Sequence, residues 1–292
     1  MILVLIRRNA IEYLRTAHRV MSELEEKFEA HVRGYRARAE NLKKALSQKN
    51  ILRNSHKLDA LFKEHPPLSP SRCPSGSEEE TYEWSYEIKD LSMTLSGLRH
   101  PQPPGTKLST GTGLLSCKVV EFYSPGRIGG VQGILPVKSV EVDFVIEGSL
   151  KDEAGDHPLV ACWHIDTHVD DPAANARPSQ EREDNHSLHP LIHYQFGGRK
   201  LRPTGSNVRG VMVLDVPRVP VPPLDLNLTV DFIVTNYLGV VWKDLRRDTR
   251  YAAPVRTSMQ RIWGPYYQMV SSHFSNPSVR CATALSFHPN LL

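Results

Sequence analysis

The chain has 292 residues, a net charge of +4, 40% hydrophobic residues and 23% charged residues, which are ordinary values for a globular protein. Its four cysteines contain no CxxC pair, which argues against a disulfide framework and favours reduced thiols in the cytoplasm. The opening apolar run, residues 2–6, is too short to cross a bilayer, so we expect a soluble protein without membrane contact.

Positive charge is concentrated at the start of the chain. Residues 1–64 carry 14 Lys and Arg against 8 Asp and Glu, a net charge of +6, whereas residues 65–219 carry 15 against 20, a net charge of −5. A basic segment attached to an acidic body could bind nucleic acid or an acidic protein. The candidate phosphate contacts are Arg33, Arg36, Arg38, Lys43 and Lys44. The alternative is a solvated helix face, because acids at positions 23, 25, 26 and 29 balance these cations.

The first region, residues 1–64, is predicted to form a helical arm, with one long helix over about residues 6–46. Its apolar and small residues recur at steps of three and four, which is a heptad seam with one stutter. The seam consists of Ala10, Leu14, Ala17, Met21, Leu24, Phe28, Val32, Tyr35, Ala39, Leu42 and Leu46. So narrow a stripe needs a partner. That partner is a second helix in an antiparallel hairpin, the body of the same chain, or another protein in an intermolecular coiled coil.

A linker rich in proline and serine follows the arm, over residues 65–80. This composition favours neither helix nor packed strand, so it predicts a boundary between two units. We therefore expect a helical arm at residues 1–64, a linker at 65–80 and a body at 81–292. We also expect residues 78–292 to fold without the arm.

The body begins with apolar residues at every second position, which is typical of half-buried strands. Six strands are predicted, at about residues 82–88, 114–122, 139–147, 159–169, 188–196 and 208–216. They follow one another without room for crossover helices, so the sheet should be mainly antiparallel, closed as a sandwich or a half-open barrel. The fold class is therefore α+β.

The last region, at about residues 223–274, is predicted to form helices that pack on the sheet. One apolar stripe starts at Pro222-Pro223 and a second starts at Pro254, because proline fits the first turn of a helix. Gly264-Pro265 should interrupt the second stripe.

One pattern of residues suggests chemistry. On the predicted strand at 159–169, His164, Asp166 and His168 share one face, while Trp163 and Ile165 should point into the core. Residues two apart on a strand lie about 6.6–6.8 Å apart, which lets two imidazoles converge on one metal ion. If the strand at 188–196 pairs with this one, His189 and His193 could complete a site for zinc or another divalent metal.

Other interpretations of this pattern are open. A half-buried strand carries polar residues on its solvent face, and cross-strand His–Asp pairs form ordinary hydrogen bonds. A metal-free acid–base or partner-binding role is a further alternative. The pattern matches neither the HExxH signature nor that of the zinc deaminases.

Three functions follow from these observations. The first is a non-enzymatic interaction or adaptor subunit of a bacterial multiprotein system, such as one of antiviral defence, with no cofactor. The interaction role rests on the arm, the hinge and the lack of a clear catalytic signature, whereas no residue pattern indicates the bacterial or antiviral setting. The second is a metal-dependent hydrolase or nuclease that uses the His/Asp cluster. The third is nucleic-acid binding by the basic arm.

Overall fold

The computed structural model describes residues 2–61, 68–71, 81–95, 107–108, 111–123, 136–152, 155–167, 192–197 and 219–275. These ranges contain a long N-terminal helix, an antiparallel sheet and a group of C-terminal helices, which confirms the predicted α+β class. The predicted strand at 208–216 lies outside them. Among the described helices, none has the length and apolar character needed to cross a membrane.

Helix α1, Ile2–Gln48, packs the second half of its apolar seam, from Leu24, on the rest of the protein. Among the seam residues whose side chains the structure describes, Met21 to Leu46, the buried ones are Leu24, Phe28, Val32, Tyr35, Ala39, Leu42 and Leu46. One turn before Leu24, Val20 and Met21 are 46% and 49% exposed. From Leu24 onward, the partner of the seam is therefore the body of the same chain. A short helix α2, His56–Ala60, follows.

The strands form one open antiparallel sheet within the described residues. They are β1 Ser69–Ser71, β2 Thr81–Leu95, β3 Lys107–Leu108, β4 Gly111–Tyr123, β5 Val137–Asp152, β6 Gly155–Thr167, β7 Ile192–Phe196 and β8 Val219–Pro220. Their order is β1-β2-β4-β5-β6-β7-β8, with β3 paired to β5. Helices cover the inward face of this sheet, in the place that a second sheet would take in a sandwich.

A bulge in β2 extends this strand beyond its predicted end. The register with β4 shifts between Ile88 and Leu91, and Asp90 has a φ of 54°. Between these positions β2 advances three residues and β4 two, so β2 has one extra residue, which changes the parity of the strand. The buried positions are therefore 82, 84, 86 and 88 before the bulge and 91, 93 and 95 after it. The whole of β2 therefore keeps one apolar face toward the core.

The C-terminal helices do not begin at the prolines. The helix after Pro222-Pro223 begins three residues later, at Leu226, and the helix that contains Pro254 begins five residues earlier, at Thr249. Helix α3, Leu226–Tyr237, is capped by Asp225, which accepts a hydrogen bond of 2.9 Å from the Leu228 N–H. After α4, Gly239–Leu245, helix α5, Thr249–Ser258, is capped by Asp248 in the same way. A side-chain acceptor satisfies a free N–H of the first turn, which explains why these aspartates define the starts.

The interruption predicted at Gly264-Pro265 has the form of a π-helical turn, Met259–Trp263, followed by α6, Gly264–Ser275. Pro265 has no N–H for the carbonyl four residues before it. The Gly264 N–H bonds instead to the carbonyl of Met259, five residues before it. In this turn the Arg261 side chain is only 9% exposed.

The three regions share one hydrophobic core. The Phe28 ring of α1 lies edge-on to Trp84 of β2, with 5.9 Å between ring centroids. On the other side of the core, Trp163 of β6 lies edge-on to Phe232 of α3 at 5.1 Å. The division into arm, linker and body stays a prediction, since it concerns what folds alone.

Candidate metal centre

The two histidine-bearing strands are neighbours in the sheet. Strands β6 and β7 pair antiparallel, with Asp166 opposite His193 and His164 opposite Gln195. This pairing agrees with the hairpin that we considered from the sequence. His168 and His189 lie outside the described residues, so the cluster in the structure consists of His164, Asp166 and His193.

Strand alternation separates the cluster from the core. Trp163 and Ile165 are each 1% exposed and belong to the hydrophobic core. His164 and Asp166 point to the outer face, where their side chains are 22% and 35% exposed. His193, on the same face, is completely buried. The cluster therefore joins one buried ligand to two that solvent reaches.

The ligand atoms of these three residues all lie within 4.8 Å of one another. His193 Nε2 is 3.0 Å from Asp166 Oδ1, and His164 Nε2 is 3.9 Å from Asp166 Oδ2. Ligands at about 2.0–2.1 Å from a tetrahedral zinc ion are separated by about 3.4 Å. Small side-chain rotations would thus bring all three atoms to one ion.

The donor set is two imidazoles and one carboxylate. Three protein ligands leave at least one coordination position for water or substrate, as in catalytic zinc sites. Imidazole and carboxylate together suit zinc and the redox-active divalent metals. An ordinary Asp–His interaction has the same distances.

Two cross-strand rows surround the cluster on the outer face. The first row runs Glu87, Lys118, Glu141, Asp166 and His193 across β2, β4, β5, β6 and β7. The second row places Asp143 of β5 opposite His164. Glu141 and Asp143 are both exposed. Exposed carboxylates therefore border the cluster on β5.

The candidate phosphate contacts on α1 do not form a free basic row. Arg33 lies 3.4 Å from Glu29, and Lys44 lies 3.6 Å from Glu40. Lys43 contacts both Glu40 and Asp59. Arg36 and Arg38 are partly buried, and the Arg38 guanidinium lies 4.4 Å from the centre of the Tyr35 ring. Nucleic-acid binding by these residues stays a prediction.

The structure also contains a buried ionic network that the sequence analysis missed. Arg261 of the π-helical turn donates to Glu121 of β4 at 2.6 and 3.1 Å and to Asp225 at 3.0 Å. Tyr35 of α1 donates to Glu121 at 2.6 Å and contacts Arg261. Ser258 donates to Asp225 at 2.5 Å. The network thus connects α1, the sheet and the C-terminal helices inside the core.

Burial and charge set the protonation of this network. Burial alone would lower the pKa of Arg261, but Glu121, Tyr35 and Asp225 raise it well above its ordinary value. Burial raises the pKa of Tyr35. Beside the network, burial and the charges of Arg261 and Arg38 lower the pKa of His31 from 6.5 to about 4. At neutral pH Arg261 of the network is therefore cationic, and the neighbouring His31 is neutral.

A sequence signal for the network does exist. Leu115, Cys117, Val119, Glu121 and Tyr123 are successive inward positions of β4. A carboxylate in such a series requires a buried cation or hydrogen-bond donors.

Comparisons of the chain with protein-family models, with curated proteins and with solved structures find no match.

Proposed function

We propose that this protein binds one divalent transition metal ion through His164, Asp166 and His193 and acts as a metal-dependent hydrolase. The observation that supports the proposal is the convergence of three ligand atoms within 4.8 Å from adjacent strands. Two of the ligands are partly exposed, so water and substrate can reach the ion.

The chemistry follows from the donor set. A metal held by three protein ligands keeps a position for water and lowers the pKa of that water to about 7. It also polarises a carbonyl or phosphoryl oxygen of a bound substrate. Both effects favour hydrolysis near neutral pH.

The rival interpretation is that Asp166 only forms hydrogen bonds or ion pairs with its two histidines. The amount of metal that the purified protein retains distinguishes this interpretation from the metal site. We expect the full chain, purified without a histidine tag and dialysed against zinc, to retain about one equivalent. His164→Ala and Asp166→Ala should each reduce this severalfold, because a two-ligand zinc site is weak.

The matched control is His56→Ala. His56 is exposed on α2 and does not belong to the cluster, so this variant should bind as much zinc as the native protein. Retention of less than about a tenth of an equivalent by the native protein would contradict the proposal for zinc. The same measurement with manganese would show whether the result also holds for that metal.

A second candidate function is that of an interaction subunit which binds a protein partner through α1. Val20 and Met21 support it, because they are about half exposed one turn before Leu24, the first buried residue among the described side chains of the seam. We expect Met21→Arg to abolish partner capture, while Val240→Arg, at an 83% exposed position, leaves it unchanged. Equal capture by both variants would contradict this function. The bacterial, cytoplasmic setting stays a prediction.

A further inference from the structure

We propose that Glu141 is the general base of the metal centre and that the substrate is an uncharged or cationic ester or amide rather than a nucleic acid. This inference rests on the proposed metal binding. It adds a catalytic residue and a substrate class to that site.

The register of β5 and β6 places Glu141 beside the cluster. Glu141 is directly opposite Asp166, on the side away from His193. Directly opposite residues in antiparallel strands have Cβ atoms about 4.5–5.5 Å apart. The Glu141 side chain is exposed and shares the outer face, so its carboxylate can reach a water on an ion held by Asp166.

Glu141 is better suited to this role than Asp143, the other exposed acid of β5 beside the cluster. Asp143 is opposite His164 and its side chain is one methylene shorter. A carboxylate next to a metal-bound histidine typically fixes the orientation of its ring. Glu141, opposite the carboxylate ligand Asp166, is thus expected to act on the bound water. Asp143, opposite the histidine ligand His164, is expected to orient that ring.

The Glu141 carboxylate takes a proton from the metal-bound water, and the resulting hydroxide attacks the carbonyl carbon of the substrate. The bond from that carbon to the leaving oxygen or nitrogen then breaks. The proton on Glu141 passes to the leaving group, which restores the carboxylate.

The charges around the cluster argue for the substrate class. Glu141, Asp143 and Asp166 carry a formal charge of −3 on two adjacent strands, which a bound divalent ion reduces to −1. Among the described residues of the neighbouring strand β4, Lys118 is the cation opposite Glu141. A nucleic acid gains most of its affinity from Lys and Arg at its phosphates. An uncharged or cationic substrate avoids repulsion by the acids.

The basic residues of α1 lie on the other side of the sheet from the cluster. Helix α1 packs on Trp84 and therefore on the inward face of the sheet. His164 and Asp166 lie on the opposite, outer face. A nucleic acid bound along α1 would be separated from the metal centre by the sheet.

The test uses the zinc-loaded full chain with two probes, p-nitrophenyl acetate as a neutral ester and bis(p-nitrophenyl) phosphate as an anionic diester. We expect zinc-dependent hydrolysis of the ester only. Glu141→Gln should lower kcat by about 10²- to 10⁴-fold, with KM and bound zinc unchanged. Glu147→Gln is the matched control, because it removes the same charge from an exposed position on the same strand and face.

The outcomes separate the inference from the function that it rests on. If zinc does not bind, the proposed function fails and this inference fails with it. If zinc binds but the ester is not hydrolysed, or the diester is hydrolysed faster, only the inference is overturned. It is likewise overturned if Glu141→Gln and Glu147→Gln have equal activity, or if Glu141→Gln loses its zinc.

Discussion

Arg261 and Glu121 form a two-point ion pair inside the core, with nitrogen–oxygen distances of 2.6 and 3.1 Å. They are 140 residues apart, on the π-helical turn and on β4. Breaking a buried pair leaves an uncompensated charge in a medium that solvates it poorly. The pair and its neighbours therefore hold the helices to the sheet in one arrangement.

Removal of the cation should be strongly destabilising. We expect Arg261→Met to lower the free energy of unfolding by about 3–5 kcal/mol, because the Glu121 and Asp225 carboxylates lose their cation. Urea denaturation measures this change. Arg33→Met, which breaks an exposed pair with Glu29, should stay within about 0.5 kcal/mol of the native protein. A double variant, Glu121→Leu with Arg261→Met, that is less stable than Arg261→Met alone would contradict the explanation.

His31 should make the protein acid-sensitive. Its pKa is lowered to about 4 in the folded state, so below pH 6.5 the unfolded chain binds a proton that the folded chain does not. The stability contributed by neutral His31 is present above pH 6.5 and is lost as the pH falls toward 4. The difference between a pKa of 6.5 in the unfolded chain and about 4 in the folded protein corresponds to about 3 kcal/mol of stability.

The measurement is the unfolding free energy of native protein and His31→Phe between pH 7 and pH 4. The phenyl ring keeps the packing on Trp84 but does not titrate, so the variant should lose less stability on acidification. The exposed His56 gives the control, His56→Phe, whose pH dependence should match that of the native protein. Parallel curves for all three proteins would refute the role of His31.

Trp163 should be important for stability and not for metal binding. It is 1% exposed, with the Phe144 ring at 5.3 Å and the Phe232 ring at 5.1 Å. Trp163→Ala should cost about 3–5 kcal/mol through the cavity that it leaves. Val240→Ala, at an 83% exposed position, should stay within about 0.5 kcal/mol. A loss of less than 1 kcal/mol for Trp163→Ala would mean that this part of the core is loosely packed.

A chain that starts at residue 78 tests the division into arm and body. The packing of α1 changes the expectation from the sequence, because Leu24, Phe28, Val32 and Leu42 contribute to the common core. We now expect this shortened chain to lose cooperative thermal unfolding, since it would expose the apolar surface under α1. A sharp calorimetric transition of the shortened chain would support the original boundary.

Local patterns in the sequence predicted much of this architecture. The heptad seam of α1 is buried from Leu24 onward, and the period of two located the paired strands β2, β4, β5 and β6. Both patterns are visible because side-chain direction repeats with the backbone period of each element. The prediction for β2 stopped at Ile88, because the bulge changes the parity and Leu91, Met93 and Leu95 then no longer match it.

The candidate site, too, was predicted only in part from the sequence. Strand alternation alone predicted that His164 and Asp166 share a face opposite Trp163 and Ile165, and it suggested His193 as a partner. Only the register between β6 and β7 decided that His193 is opposite Asp166, and the register of β5 added Glu141. Register depends on pairing between distant segments, and a shift of one residue would turn every side chain to the other face.

The sequence by itself determined which elements form and which face of each is apolar, because those properties arise from neighbouring residues. The tertiary structure decided that Tyr35, Glu121, Asp225 and Arg261 meet, from positions on α1, on β4, at the start of α3 and in the π-helical turn. No periodic pattern within one segment of the sequence predicts that these four residues come into contact. Each of these polar groups is stable in the core only because the other elements bring its partners within hydrogen-bond distance.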